Sequence, residues 1–154
     1  MAEIIFPPTT GGGGGGITPV VDFRDMGAWQ VIGSSQTVQA LSQSYDAGTY
    51  HVQAVAHVRT GDGGTGGFSA SQMLLCISLT GSIDVTPNTH LACQGYLFSP
   101  GGYAGSPNVF MGCINAVRYI TLGATTPVYL MVSGPSLSSG DIQVKCAMYV
   151  TKIA

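Results

Sequence analysis

TYHVQAVAHV, residues 49–58, decides the fold. Tyr50, Val52, Ala54, Ala56 and Val58 fall on one side of the repeat, and His51, Gln53, Val55 and His57 on the other. A period of two is β-strand geometry, because successive side chains of a strand point to opposite faces. DIQVKCAMYV, residues 141–150, repeats the pattern more cleanly. Ile142, Val144, Cys146, Met148 and Val150 alternate there with Gln143, Lys145, Ala147 and Tyr149, which face out or towards a partner.

Other segments extend this reading along the chain. QMLLCISL (72–79) and VYLMVS (128–133) are continuously apolar, as suits strands buried on both faces. WQVI (29–32), QTVQALSQ (36–43), HLACQGYLF (90–98) and VFMGCINAVRYITL (109–122) are further strands, the last long enough to bend or bulge near Gly112. Turn chemistry separates them: DAG at 46–48, TGDGGTGG at 60–67, TPN at 86–88, SPGGYAGSP at 99–107 and SGPSLSSGD at 133–141. No segment has the helical period with capping signals, and nothing repeats internally. The expected fold is all-β, an antiparallel β-sandwich of the jelly-roll kind with about eight strands, over residues 23–154.

Residues 1–22 read as a separate N-terminal arm, extended and rich in glycine and proline. EIIFPP supplies a small apolar cluster followed by prolines that forbid a central strand. Six consecutive glycines follow, with no side chain to bury but with freedom to lie close to another surface. The arm is thus expected as a ribbon pressed against other chains. Its partner-binding residues are Ile4, Ile5, Phe6, Pro7 and Pro8, then Val20, Val21 and Phe23 where ITPVVDF enters the domain.

Composition narrows the partners. Charged residues are 8% of the 154-residue chain, where soluble domains carry about 25%. Mean hydropathy is +0.32 and net charge −2, so little electrostatic repulsion opposes self-association. Such a surface is expected to be covered by neighbours. Five basic residues, scattered as Arg24, Arg59, Arg118, Lys145 and Lys152, make no stripe for nucleic acid. No apolar run is long enough for a membrane-spanning helix, and the N-terminus, with Glu3 and early prolines, does not read as a secretory signal.

Catalytic chemistry is not apparent. Cys76, Cys93, Cys113 and Cys146 are far apart and lack zinc spacing, so reduced thiols are expected, although an even count permits pairing. His51, His57 and His90 nominate no metal site, and the seven acidic residues lie mostly in turns with no facing pair. TGDGGTGG lacks the Lys-Ser/Thr of a phosphate loop, and no G-x-S-x-G elbow occurs. The reading is a non-enzyme without cofactor or metal. Among the aromatics, Trp29, Tyr96, Phe110, Tyr119 and Tyr129 are expected mostly in the core. Tyr149 on the polar side of its strand and Tyr103 in a glycine-rich loop are the expected oligomer or ligand contacts.

Ala47-Gly48-Thr49-Tyr50 entering the first long strand, Thr126, Val128, Tyr129 and Leu130 in a late one, and the alternating last strand resemble C1q and tumour-necrosis-factor-type jelly rolls. The versions in question are those of bacteriophage virion proteins, and the resemblance covers residues 45–154. It implies a homotrimer serving as a capsid decoration (cement) or head-fibre subunit, assembled in the host cytoplasm. Its partners would be itself and the major capsid protein or another virion protein. The glycine run has no G-X-Y period, so no collagen helix precedes the domain. The alternative is a receptor- or carbohydrate-binding tip domain of a tail fibre, with loops 60–67 and 99–107 as its contact surface.

Overall fold

The structure, a computed structural model, describes residues 21–60, 71–83, 92–97, 111–134 and 142–154. Nine strands are found among them: β1 (Val21–Asp25), β2 (Gln30–Ile32), β3 (Thr37–Tyr45), β4 (Gly48–Thr60), β5 (Ser71–Ser78), β6 (Ala92–Leu97), β7 (Met111–Leu122), β8 (Thr126–Ser133) and β9 (Ile142–Lys152). Sheet A runs β1-β9-β4-β7 with β2 also on β9, and sheet B runs β3-β8-β5-β6.

The pairings follow one rule. β1 and β2 pair with β9, β3 with β8, β4 with β7 and β5 with β6, all antiparallel. That is one long hairpin closed at β5 and β6. Rolling it up adds the pairs β4–β9 and β5–β8 and splits it into two sheets, which is the jelly roll expected from the strand pattern.

β1 and β2 are two halves of a single edge path along β9, interrupted after Asp25. Gly27 takes φ +67°, which favours glycine, and its N–H donates to Asp25 Oδ1 at 2.9 Å. Met26 N–H still donates to the Cys146 carbonyl at 3.0 Å, so the path along β9 is interrupted but not lost. β1 begins at Val21, two residues inside the expected arm, and residues 1–20 lie outside the described residues.

The core is the inner face of both sheets. Tyr50, Val52, Ala54, Ala56 and Val58 of β4 and Ile142, Val144, Cys146, Met148 and Val150 of β9 are all buried, as their alternation requires. Sheet A contributes small residues at its centre, with Ala54 opposite Ala116 and Ala56 opposite Cys146. Sheet B contributes the bulk through Met73, Leu75, Ile77 and Leu130. Cys76, Ser78 and Met131 are buried on the other side of sheet B, which matches the continuous apolar reading of β5 and β8.

Two details depart from expectation. The β4–β7 register is unbroken from Gly48↔Leu122 to Arg59↔Met111, so Gly112 sits in a regular rung. The bulge is instead in β3, between Gln39 and Leu41. β1 is not apparent in the sequence, because VDFRD sets Val21 and Phe23 outward and Asp22 and Arg24 on the inner side, the reverse of a core strand.

Three perturbations test this packing. Leu130→Ala should cost about 2–5 kcal/mol in urea unfolding. At Gly48, φ +153°, an added Cβ would lie 2.6 Å from Lys152 Cε and 2.8 Å from the Ala154 carbonyl oxygen. Gly48→Ala should therefore cost roughly 1–3 kcal/mol by the same assay. Burial pushes the Cys146 thiol up to about 12. The folded state thus holds a proton that the unfolded chain releases near about pH 8.5, and stability should fall as pH rises through that window. Cys146→Ala should flatten that decline.

Candidate functional site: the outer face of sheet A

β4 lies at the centre of sheet A, so its outward residues organise the face. The register sets His51 between Thr151 and Tyr119, Gln53 between Tyr149 and Val117, and Val55 between Ala147 and Asn115. His57 lies between Lys145 and Cys113, and Arg59 lies beside Gln143. β1 adds Val21, Phe23 and Asp25 beside Thr151, Tyr149 and Ala147, and β2 adds Val31 beside Gln143.

Two ring pairs stand on adjacent rungs. Phe23 packs on Tyr149 with centroids 4.8 Å apart and planes at 42°. His51 stacks on Tyr119 at 4.7 Å and 27°. At the other end the Arg59 guanidinium lies 4.4 Å over the Trp29 ring, and its Nε donates to Gln143 Oε1 at 2.8 Å.

Exposure singles out this face. Among the described residues the large hydrophobics open to solvent are Val21, Phe23, Val31, Val117, Tyr119, Tyr149 and Ile153. The first six all lie on the outer face of sheet A, and Ile153 directly follows β9. Tyr119 is 69% exposed and the others 43–53%. Scattered exposed apolar residues are ordinary, but a contiguous group on one sheet face marks an interaction surface. Only Asp25, Arg59 and Lys145 bring formal charge to it among the described residues. Four strand paths and a 13-residue inner strand give a footprint of about 800 Å², the size of one side of a standard protein–protein interface.

The sheet edges carry the opposite signal. On β1, Asp22 and Arg24 lie on the inner side of the register, opposite Val150 and Met148, at the open rim of the sandwich, where Arg24 stays half-exposed. Asp22 Oδ2 accepts from Tyr45 OH at 2.9 Å and from Arg24 Nε at 3.1 Å. On β7, Arg118 shares the inward side with Ile114, Ala116 and Ile120, and its Nη1 donates to the Ile77 carbonyl across the sandwich at 2.7 Å. Burial lowers the pKa of this guanidinium, yet an arginine stays charged in proteins. β3, an edge of sheet B, carries the bulge. Inward charges and bulges are the devices by which edge strands avoid pairing with another chain.

A cleft of about 250 Å³ opens where β3 turns into β4, lined by Asp22, Ser44, Tyr45, Asp46, Tyr50, Val150 and Lys152. Its polar groups bond one another. Tyr50 OH donates to the Asp46 carbonyl at 2.9 Å, Thr125 Oγ1 to Asp46 Oδ1 at 2.9 Å, and Lys152 Nζ to the Ala47 carbonyl at 3.1 Å. Burial, with Asp22 as acceptor, pushes the Tyr45 phenol above its usual range, so it remains a donor. This network closes the end of the sandwich.

Of the expected contact residues, Val21, Phe23 and Tyr149 come together on the outer face. Ile4, Ile5, Phe6, Pro7, Pro8, Val20 and Tyr103 lie outside the described residues, as do 61–67 and 99–107. Tyr119 was expected in the core and is instead the most exposed of these side chains. In HLACQGYLF and VFMGCINAVRYITL apolar and polar residues are mixed, and the outward parity of Val117 and Tyr119 shows only through the register with β4. Cys113 is an exposed thiol and Cys76 and Cys146 are buried, and no cluster of three metal-ligating side chains occurs among the described residues.

No protein-family model matches the chain, and no curated protein sequence matches it. The C1q and tumour-necrosis-factor resemblance therefore has no family match behind it. Among solved structures, the chain is similar to one of infectious bursal disease virus, Gx strain. The TM-score is 0.53 at 14% identity, over 90% of this chain and 34% of that one. The VP2 subviral particle of infectious bursal disease virus gives TM-score 0.49 at 15% identity, over 88% of this chain and 33% of that one. This chain thus spans about a third of the length of those it resembles. At such identity the first likeness speaks to the fold, a β-sandwich shared with a chain of a virus structure.

Thiol labelling checks the placement of the face. Alkylation of the native protein should modify Cys113, which is exposed, and leave Cys76 and Cys146 untouched until denaturant is added. Mass mapping showing Cys146 modified first would contradict the described packing.

Proposed function

We propose that this protein is a structural subunit of a virus particle, which assembles with copies of itself through the outer face of sheet A. The observation that carries the reading is the concentration of exposed apolar side chains on that one face, in a chain with 8% charged residues. Water-exposed apolar surface of that extent favours association, because covering it removes it from water. The edge devices leave the face as the surface suited to contact. The fold likeness to a chain of infectious bursal disease virus supports a virion setting.

Within that setting the best reading is a capsid decoration (cement) or head-fibre subunit of a bacteriophage, with three copies as the resemblance implies. The arm, residues 1–22, grips the major capsid protein or another virion protein. It acts by linkage: arm and domain each bind weakly, and joining them raises the effective concentration of each at the shell. The tail-fibre reading places its contacts in loops 60–67 and 99–107 and draws no support from the described surface.

Light scattering and sedimentation test both parts. The intact chain should be oligomeric at micromolar concentration. Val117→Ser with Tyr119→Ser should yield a monomer whose unfolding free energy changes by less than about 0.5 kcal/mol per site. Deleting residues 1–16 should leave the oligomer intact but release it from particles. A monomeric intact chain overturns the assembly reading, and unchanged particle affinity after the deletion overturns the role of the arm.

A further inference from the structure

We infer that acid separates the assembled copies, through His51 and His57 at the centre of the outer face of sheet A. The inference rests on the assembly reading above and adds a condition under which the contact fails. Both histidines are on β4, one of the two inner strands of that sheet, so a contact covering the face covers them.

The surrounding charges decide the sign. His51 faces Thr151 on β9 and the Tyr119 ring on β7, and no described formal charge shares its rung. His57 faces Lys145 on β9 and Cys113 on β7, and Arg59 is the next outward residue on β4. Asp25, beside Ala147, is the one described side-chain carboxylate on the face. With neutral histidines the described side chains of the face carry two cations and one anion, a side-chain net of +1. Two imidazolium groups raise it to +3. Copies that meet through this face then bring like charges together in a poorly hydrated contact, where a charge costs most.

Histidine changes charge between about pH 5 and 8, whereas ordinary aspartates, lysines and arginines do not. The contact binds the neutral form better, so dissociation takes up protons. By linkage, association weakens as pH falls, tenfold per unit for each histidine that the contact keeps neutral once the pH is below its pKa.

Sedimentation of the full chain at about pH 7.5 and about pH 5 reads the effect, with circular dichroism at both to show that the fold persists. The intact chain should associate at least tenfold more weakly in acid, and His51→Gln with His57→Gln should stay associated at both values. An intact chain that remains assembled and folded in acid overturns the inference while leaving the assembly reading standing. A double variant that still dissociates in acid overturns it too. An intact chain that is monomeric at both values overturns the assembly reading itself. Calorimetric dilution of the intact chain near about pH 6 in two buffers of different ionisation enthalpy gives an independent readout. Proton uptake on dissociation is expected, and zero uptake overturns the inference even if the double variant fails to assemble.

Discussion

Everything in this molecule depends on β4 holding two strands in register at once. It pairs with β7 along twelve consecutive positions, Gly48 to Arg59, and with β9 along eleven, Tyr50 to Thr60. A one-residue slip on either side would turn every side chain of the partner to the wrong face. The five buried side chains of β4 lock that register, and two of them, Ala54 and Ala56, are small enough to let the bulky inner face of sheet B close down. Small residues facing large ones fill the interior without voids, which rigid cores require. The same register fixes what happens outside. By setting Tyr149, Val117, Tyr119 and the histidines on one surface, it builds the exposed apolar face as a by-product of building the core.

Face and edges play opposite parts in governing association. A β-sandwich can meet another chain by extending a sheet or by covering one. Here Asp22 and Arg24 on β1, Arg118 on β7 and the bulge in β3 all obstruct extension. A neighbour that added a strand to β1 or β7 would have to accommodate charges on the inner side of those strands. Face covering meets no such obstacle, because the outer surface of sheet A has few formal charges to strip of water.

The core was readable because burial and period reinforce each other in TYHVQAVAHV and DIQVKCAMYV, where every second residue is apolar and the intervening ones are mostly polar. The exposed apolar face was only partly readable, and for a physical reason. Val117 and Tyr119 are apolar residues in an apolar strand, and nothing local distinguishes an outward valine from an inward one. Their parity relative to Ile114 and Ala116 is settled by pairing with β4, a partner more than fifty residues away in the chain. Tyr149 was recoverable because its neighbours, Lys145 and Gln143, mark the outward side of β9. Phe23 was recoverable as a contact residue but not as part of a strand. VDFRD alternates in the reverse sense, and a short edge strand with charges inside imitates a loop.

Low charge content and the shape of the apolar patch are two expressions of one constraint. A domain that stays alone in water needs charges spread over every face, and this chain has twelve charged residues in all, five basic and seven acidic. Arg118, Asp22 and Arg24 are spent on the interior side of edge strands, and Lys152 on the Ala47 carbonyl, so few remain to solvate the broad outer face of sheet A. That leaves the face with little formal charge to hold water at its surface. What separates a covered face from a merely sticky one is specificity, and the polar residues interspersed among the rings provide it. Gln53, Asn115 and Thr151 each carry both donor and acceptor capacity, so they can be satisfied by copies of themselves but would be left unpaired against an apolar stranger. The chemistry of the face therefore favours a partner with the same composition, which a second copy of the chain supplies without any further adaptation.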